Sequence, residues 1–482
     1  MKEPSPPLAI GPIDRRIPLS QQIYDRLRHA IDAHMLRPGA RLASARALAS
    51  ELGVARGTVE SAYQRLAGEG YVLARGPAGT IVSPHLAQHA ARQRARATAN
   101  ARPRVDRGTM AVNPEPPPLQ LGIPALDAFP RKLWSRLATR RIRATSPSEL
   151  SYSDPCGYLP LRQAIAAYLL VSRGVPCRAE QVLVTGGYRA SLALILQTLL
   201  RPRDRVWIEN PCYPPTRTLL ERAAAIPCAV PVDDEGLVVA EGIREAPRAR
   251  LAVVTPSHQS PLGVSMSMPR RLQLLDWASR HEAWIVEDDY DGEFHYHGPP
   301  LPALKSRDTT DRVIYAGSFS KVLFPGLSLG YLVLPERLTE RFAASVQIWP
   351  NYVARATQAI VADFIDNGHF SRHLKKMRAL YAHRRALLAA ALTDAFGARV
   401  TIDLARGGMH LVARFAGRTS DEMLARRAQR AGLNCQALSP RYLGETKQEG
   451  LLMGFTNVAT APEAARLAAA LRDALALGNV SA

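Results

Sequence analysis

The chain has 482 residues, too many for one ordinary hydrophobic core, so two or three domains are expected. Hydrophobic residues make up 47% and charged residues 22%, the balance of a soluble globular protein, and no apolar run approaches the ~20 residues that span a bilayer. The formal charge of +20, from 62 basic and 42 acidic residues, favours a polyanionic partner because neutralised phosphates release counterions; an arginine- and alanine-rich background accounts for the same excess equally well. The start, MKEPSPPLAIGP, has no apolar h-region, so no signal peptide is expected. Five cysteines (Cys156, Cys177, Cys212, Cys228, Cys435) show no CxxC pairing, which points to reduced thiols in a cytoplasmic protein and to neither a disulfide nor a zinc framework.

From Ser20, a plausible N-cap, the apolar positions Ile23, Leu27, Ile31 and Met35 recur every four residues and predict an amphipathic helix ended by Pro38-Gly39. Ser44 caps a second short helix over 45–52, with Leu48 and Leu52 inward. Gly53-Val54 makes a tight turn, and a third helix from near Arg56 turns Val59, Ala62, Tyr63 and Leu66 to the core. Two β-like runs, YVLAR (71–75) and TIVS (80–83), flank the turn Gly76-Pro77-Ala78-Gly79. This order is a winged helix-turn-helix, whose third helix enters the major groove of double-stranded DNA with its N-terminal residues toward base edges. Ala55, Arg56, Gly57 and Thr58 are the outward residues there. Arg56 has the fork for guanine, and Arg46 and Arg75 suit phosphates or the minor groove.

Residues 18–83 resemble the GntR family through the run LASARALASELGVARGTVESAYQRLAGEGYVLARGPAGTIV. The resemblance implies operator DNA as partner and Arg46, Ala55, Arg56, Gly57, Thr58 and the wing at Gly76, Gly79 and Thr80 as contacts. Ala43 stands where a proline is common, and Pro77-Ala78 fills a wing turn where Gly-Ser-Gly is usual.

Over 84–118 periodicity disappears, and six arginines face two acids, the composition of a basic flexible linker. From 119 to 478, strand-like runs alternate with amphipathic helices: QVLVT (181–185), RVWIE (205–209), LAVVT (251–255), AWIVE (283–287) and VIYAG (313–317). The alternation predicts an α/β domain with a mostly parallel sheet, whose ligands bind at the carboxyl ends of the strands. QVLVT is followed by Gly186-Gly187-Tyr188-Arg189 opening a helix, where free N–H groups suit a phosphate. Tyr213 follows RVWIE, and the loop TPSHQSPLG (255–263) with Ser260 follows LAVVT. Asp288 and Tyr290 follow AWIVE, and Ser318, Ser320 and Lys321 follow VIYAG. A carboxylate ending a buried strand is commonly a satisfied cap; here it can equally hold a cationic ring nitrogen. A phosphate cup, a stacking aromatic, a carboxylate, a phenol and a lysine are together the parts that hold pyridoxal phosphate. Lys321 would form the Schiff base, Asp288 keep the pyridinium protonated, Tyr290 bond the 3′-oxygen and Tyr213 stack on the ring. Backbone at Gly187, Tyr188 and Arg189, with Ser318 and Ser320, would hold the phosphate.

This region is similar to the fold-type I aminotransferases, and the chain from about 18 to 475 resembles the MocR-type regulators. The resemblance rests on FPRKLWSR (129–136), YSDPCGYLPLRQAIAAYL (152–169), TPSHQSPLG, VEDDYDGEF (286–294) and GSFSKVLFPGLSLGY (317–331). It implies a homodimer with sites completed across the subunit interface. Three departures stand out. Ser328, seven residues past Lys321, replaces an arginine that clamps the cofactor phosphate, with Arg189 as the substitute cation. Leu452 replaces the arginine for a substrate α-carboxylate, and Ser260 replaces an asparagine. Three functions compete: a regulator sensing pyridoxal phosphate or a small amine or amino acid, an aminotransferase with turnover, and a regulator whose large domain is a cofactor-free scaffold. The helix-turn-helix with Lys321, Asp288 and Tyr290 favours the first.

Overall fold

The structure is a computed structural model that describes residues 18–76, 79–85, 116–296, 302–349, 353–445 and 447–475. The chain divides into two compact units, Met1–Ala111 and Val112–Ala482, with the division inside the expected linker, most of which lies outside the described residues.

In the first unit, helices α1 (Leu19–Asp32), α2 (Ala45–Leu52) and α3 (Arg56–Gly68) precede a hairpin of β1 (Val72–Ala74) and β2 (Thr80–Val82). Ile23, Leu27, Leu48, Val59, Leu66, Val72 and Val82 form its core, each fully buried aliphatic contributing about 1.5–3 kcal/mol. Two sequence expectations need correction. Pro18, not Ser20, occupies the N-cap of α1, where a ring that already fixes φ costs no backbone hydrogen bond. The helix also stops at Asp32, so Met35 falls beyond it and is 65% exposed. Ser44 does cap α2, its Oγ accepting from the Ala47 N–H at 3.1 Å, and Gly53 supplies the left-handed φ of 63° that ends it.

The second unit is built on eight strands in the order β3-β10-β9-β8-β7-β4-β5-β6. Their ranges are β3 Val182–Thr185, β4 Arg205–Asn210, β5 Ile226–Asp233, β6 Gly236–Leu237, β7 Leu251–Val254, β8 Trp284–Asp289, β9 Val313–Ser318 and β10 Gly330–Val333. The run β9-β8-β7-β4-β5 is parallel, and β10 is antiparallel to both β3 and β9. Helices bury both faces, which is why the central strands read as unbroken apolar runs. Parallel register brings the carboxyl ends of β4, β7, β8 and β9 to one edge, and antiparallel β10 returns its amino end there, with Gly330 paired to both Thr185 and Ser318. A second, four-stranded antiparallel sheet, in the order β11-β12-β14-β13, comprises β11 (Val400–Asp403), β12 (His410–Phe415), β13 (Gln436–Ala437) and β14 (Leu451–Gly454).

Candidate cofactor site and nucleic-acid interface

At the carboxyl end of β9, Ser318 caps the short helix Phe319–Val322 through its Oγ, which accepts from the Ser320 N–H at 3.2 Å. The turn aims Lys321 inward, and its Nζ donates to the Gly122 carbonyl at 2.8 Å. Burial pushes the Lys321 pKa down, while Asp291 and Asp288 favour its charge and Arg189 opposes it. Asp288, 7% exposed, has its pKa driven well up by burial, then by Asp289, Asp291 and Glu209, with Lys321 pulling the other way. A cationic group beside Asp288 would reverse that balance.

The helix Tyr188–Leu199 follows β3, with Gly187 at its N-cap. Its first backbone bond runs from the Ser191 N–H to the Gly187 carbonyl, so the N–H groups of Tyr188, Arg189 and Ala190 are the orphan donors of a helix start. Ser328, left-handed at φ 46°, donates its Oγ to the Gly186 carbonyl at 3.2 Å, so it faces this turn without supplying a charge. Tyr213 precedes the helix Pro214–Arg222, its ring 6.0 Å from that of Tyr188. Tyr290 meets His258 Nδ1 at 3.0 Å and is also hydrogen-bonded to the Ser260 side chain. The structure therefore brings Gly187, Tyr188, Arg189, Tyr213, Ser260, Asp288, Tyr290, Ser318, Ser320 and Lys321 to the same strand edge.

Sequence reasoning passed over Gly122, His258 and Asp291. Asp291 and His258 lie 3.2 Å apart, 1% and 4% exposed, and both Asp291 oxygens and His258 Nε2 are buried without a hydrogen-bond partner among the described residues. Orphaned polar atoms beside a buried lysine mark a polar site; the donors of the helix start suit the phosphate of pyridoxal phosphate, and the buried carboxylates suit its cationic ring nitrogen. The signal for Asp291 was present in the acidic run after β8; Gly122 is distant in sequence and gave none. Leu452 is fully buried in a small cluster with Val412 and Leu438, against Leu121, Leu262 and Tyr442.

In the first unit Ala55, Arg56 and Gly57 are exposed at the start of α3, Thr58 is half-buried, and Arg46 is exposed on α2. Arg56 Nε pairs with Glu60 at 2.8 Å, one turn on. Arg75 and Gly76 are exposed at the wing, where the Arg75 N–H donates to the Gly79 carbonyl at 2.8 Å, while Gly79 and Thr80 are half-buried. Pro77 and Ala78 lie outside the described residues. Arg41, not anticipated, is joined to Ile81 by a β-bridge, and its guanidinium lies against Gly79.

Residues 19–82 match the family described as bacterial regulatory proteins, gntR family, and residues 122–452 match aminotransferase class I and II. The chain is similar to the probable rhizopine catabolism regulatory protein MocR of Rhizobium meliloti, 38% identical and covering 92% of this chain and 91% of that one. It is also similar to the HTH-type pyridoxine biosynthesis transcriptional regulator PdxR of Corynebacterium glutamicum, 33% identical over 93% and 94%. Among solved structures, kynurenine aminotransferase of Pyrococcus horikoshii superposes with a TM-score of 0.68 at 25% identity, covering 74% of this chain and 90% of that one. The α-aminoadipate aminotransferase LysN of Thermus thermophilus gives 0.67 at 27%, covering 75% and 93%.

Proposed function

The chain belongs to the MocR-type transcription regulators, a gntR-family head joined to an aminotransferase class I and II domain, and on that premise we propose that it binds pyridoxal phosphate covalently at Lys321 and reads a small amine or amino acid there to alter operator binding. The observation that carries this reading is the buried Lys321 amine facing Asp288 at the carboxyl ends of β8 and β9. When bound, pyridoxal phosphate supplies an aldehyde for attachment to an amine and an electron-withdrawing ring. Burial keeps more of the Lys321 amine neutral, the form that attacks an aldehyde, and Gly122 orients it. Asp288 would pair with the ring nitrogen, Tyr290 would donate to the phenolic oxygen, and Tyr213 would cover the ring. The donors of Tyr188 and Arg189, with Ser318 and Ser320, would hold the phosphate, and Arg189 would supply the positive charge that Ser328 lacks.

In the head, Arg46, Ala55, Arg56, Gly57, Thr58, Arg75, Gly76, Gly79 and Thr80 contact double-stranded operator DNA, and the working form is a cytoplasmic homodimer. No helix among the described residues is long and apolar enough to cross a membrane. The sealed apolar surroundings of Leu452 argue against steady transamination, which would need a carboxylate clamp at that position.

Purified chain reconstituted with pyridoxal phosphate should show a visible absorption band that disappears in Lys321→Ala. A wild-type chain without that band would leave the large domain as a scaffold and overturn the reading.

A further inference from the structure

The loop after β7 carries His258 into the space beside Tyr290. Its ring is buried against two left-handed glycines, Gly263 at φ 77° and Gly408 at φ 86°: a Cβ at Gly408 would collide with the ring, and one at Gly263 would stand 3.0 Å from Nε2. Packing therefore fixes the ring, and its two nitrogens face different surroundings. Nδ1 lies 3.0 Å from the Tyr290 hydroxyl and 3.2 Å from Asp291 Oδ2, whereas Nε2 is buried with no hydrogen-bond partner among the described residues. A proton on Nε2 would be a buried donor without an acceptor, while on Nδ1 it faces a carboxylate and a hydroxyl oxygen. Asp291, buried with neither oxygen hydrogen-bonded among the described residues, gains from a positive hydrogen at that distance. The proton thus belongs on Nδ1, and the hydrogen bond runs from His258 to the Tyr290 oxygen.

The same phenol oxygen is bonded to the Ser260 side chain. A phenol has one hydrogen to give and two lone pairs, so with His258 and Ser260 both giving to it, its own hydrogen is left for a third partner. Burial, then Asp291 and Asp288, and lastly Glu209 hold the Tyr290 pKa well up, so that hydrogen is present. His410, packed edge-on against His258 at 5.5 Å between ring centres, brings no charge to the group: burial and then His258 push its pKa down to about 3, and its Nε2 donates to the Pro261 carbonyl at 2.8 Å. The nearby cations act on other members of the group, Lys321 on Asp291 and Arg441 on Tyr290.

Resting on the function proposed above, we infer that His258, backed by Asp291, is a positioning residue that donates its Nδ1 hydrogen to the Tyr290 oxygen and so commits the phenol's own hydrogen to the cofactor's phenolic oxygen. Pyridoxal phosphate held on a lysine loses a proton from the linking nitrogen as the pH rises, and its visible band changes with that loss. A hydrogen donated to the phenolic oxygen stabilises the negative charge left there, which favours the loss and lowers its midpoint. Removing the donor, or letting it turn away toward a histidine nitrogen, raises the midpoint.

The test is a pH titration of the visible band in the pyridoxal-phosphate-loaded full chain. Tyr290→Phe should raise the midpoint above that of wild type, and His258→Leu should raise it by roughly 0.5–1 unit, the size of one lost hydrogen bond. His258→Asn, whose amide nitrogen stands near the place of Nδ1, should recover most of that shift. Adding His258→Leu to Tyr290→Phe should move the midpoint no further, because the histidine acts through the phenol; a histidine that merely fills space would shift both backgrounds alike. Should His258→Leu fail to load the cofactor, wild type labelled with 15N-histidine decides: the His258 resonance, identified by its loss in His258→Asn, should carry its proton on Nδ1. An unchanged midpoint in His258→Leu, no recovery in His258→Asn, equal shifts with and without Tyr290, or a proton on Nε2 alone overturns the assignment. A wild-type chain with no cofactor band overturns the underlying function instead, and the first spectrum tells the two failures apart.

Discussion

Gly122 holds Lys321 through its carbonyl while at φ +71°, and a Cβ there would collide with Lys321 Nζ. Alanine at 122 thus carries two penalties, a left-handed backbone that costs about 1 kcal/mol and a displaced lysine. Gly122→Ala should weaken pyridoxal phosphate binding by about tenfold or more, a loss of ~1.4 kcal/mol or greater, read as the half-saturation of the visible band. An unchanged half-saturation would mean that the lysine does not depend on this carbonyl. At this scale the sequence revealed residues whose chemistry is tied to a strand end, such as Lys321, Asp288 and Tyr290. It hid those that matter through proximity alone. Gly122 lies 199 residues from the lysine it orients.

The recognition helix α3 shows how an element prepares residues without committing them. Arg56 is held to Glu60, but both are largely exposed, at 68% and 42%, and an exposed i,i+4 pair of this kind contributes about 0.3–0.5 kcal/mol. A bidentate contact to guanine discriminates by about 1–3 kcal/mol, so DNA outcompetes Glu60 for the guanidinium. Arg56→Ala should therefore cost roughly tenfold or more in operator affinity, with a smaller loss on scrambled duplex and no change in the cofactor band, measured by fluorescence anisotropy at fixed salt. Equal losses on both duplexes would reduce Arg56 to a phosphate contact. Elements were legible where pattern and burial agree: α2, α3, the wing strands and the five apolar runs of the eight-stranded sheet. Those whose pattern is weak were missed. β10 is only Gly330–Val333, and β5 carries Pro227 and Pro231, which suit a strand near the sheet edge but blur its apolar run. In the antiparallel second sheet, β11 (VTID) has no fully buried residue and β13 is two residues long, so neither reads as an apolar run.

Two units with separate cores make a prediction about the whole molecule. The head is held by the cluster of Ile23, Leu27, Val59 and Leu66, and none of its residues enters the cluster formed by the parallel sheet and its helices. Every residue assigned to the cofactor, from Gly122 to Lys321, lies in the second unit. Ligand that binds only the folded second unit stabilises that unit by mass action, about 2.7 kcal/mol at a hundredfold excess over the dissociation constant, and leaves the head's own unfolding equilibrium untouched. Scanning calorimetry of the full chain should accordingly show two transitions, of which pyridoxal phosphate raises only the larger, by a few degrees. Lys321→Ala should remove that rise without moving the smaller transition. Ser44→Ala should do the reverse, lowering the smaller transition by roughly 4–8 °C for a lost cap of ~1 kcal/mol in a unit of this size. If pyridoxal phosphate moved both transitions together, the cofactor would act through the stability of the head. If it moves only one, the signal has to travel through how an intact head is presented to DNA, and regulation becomes a question of geometry between units that are each already folded.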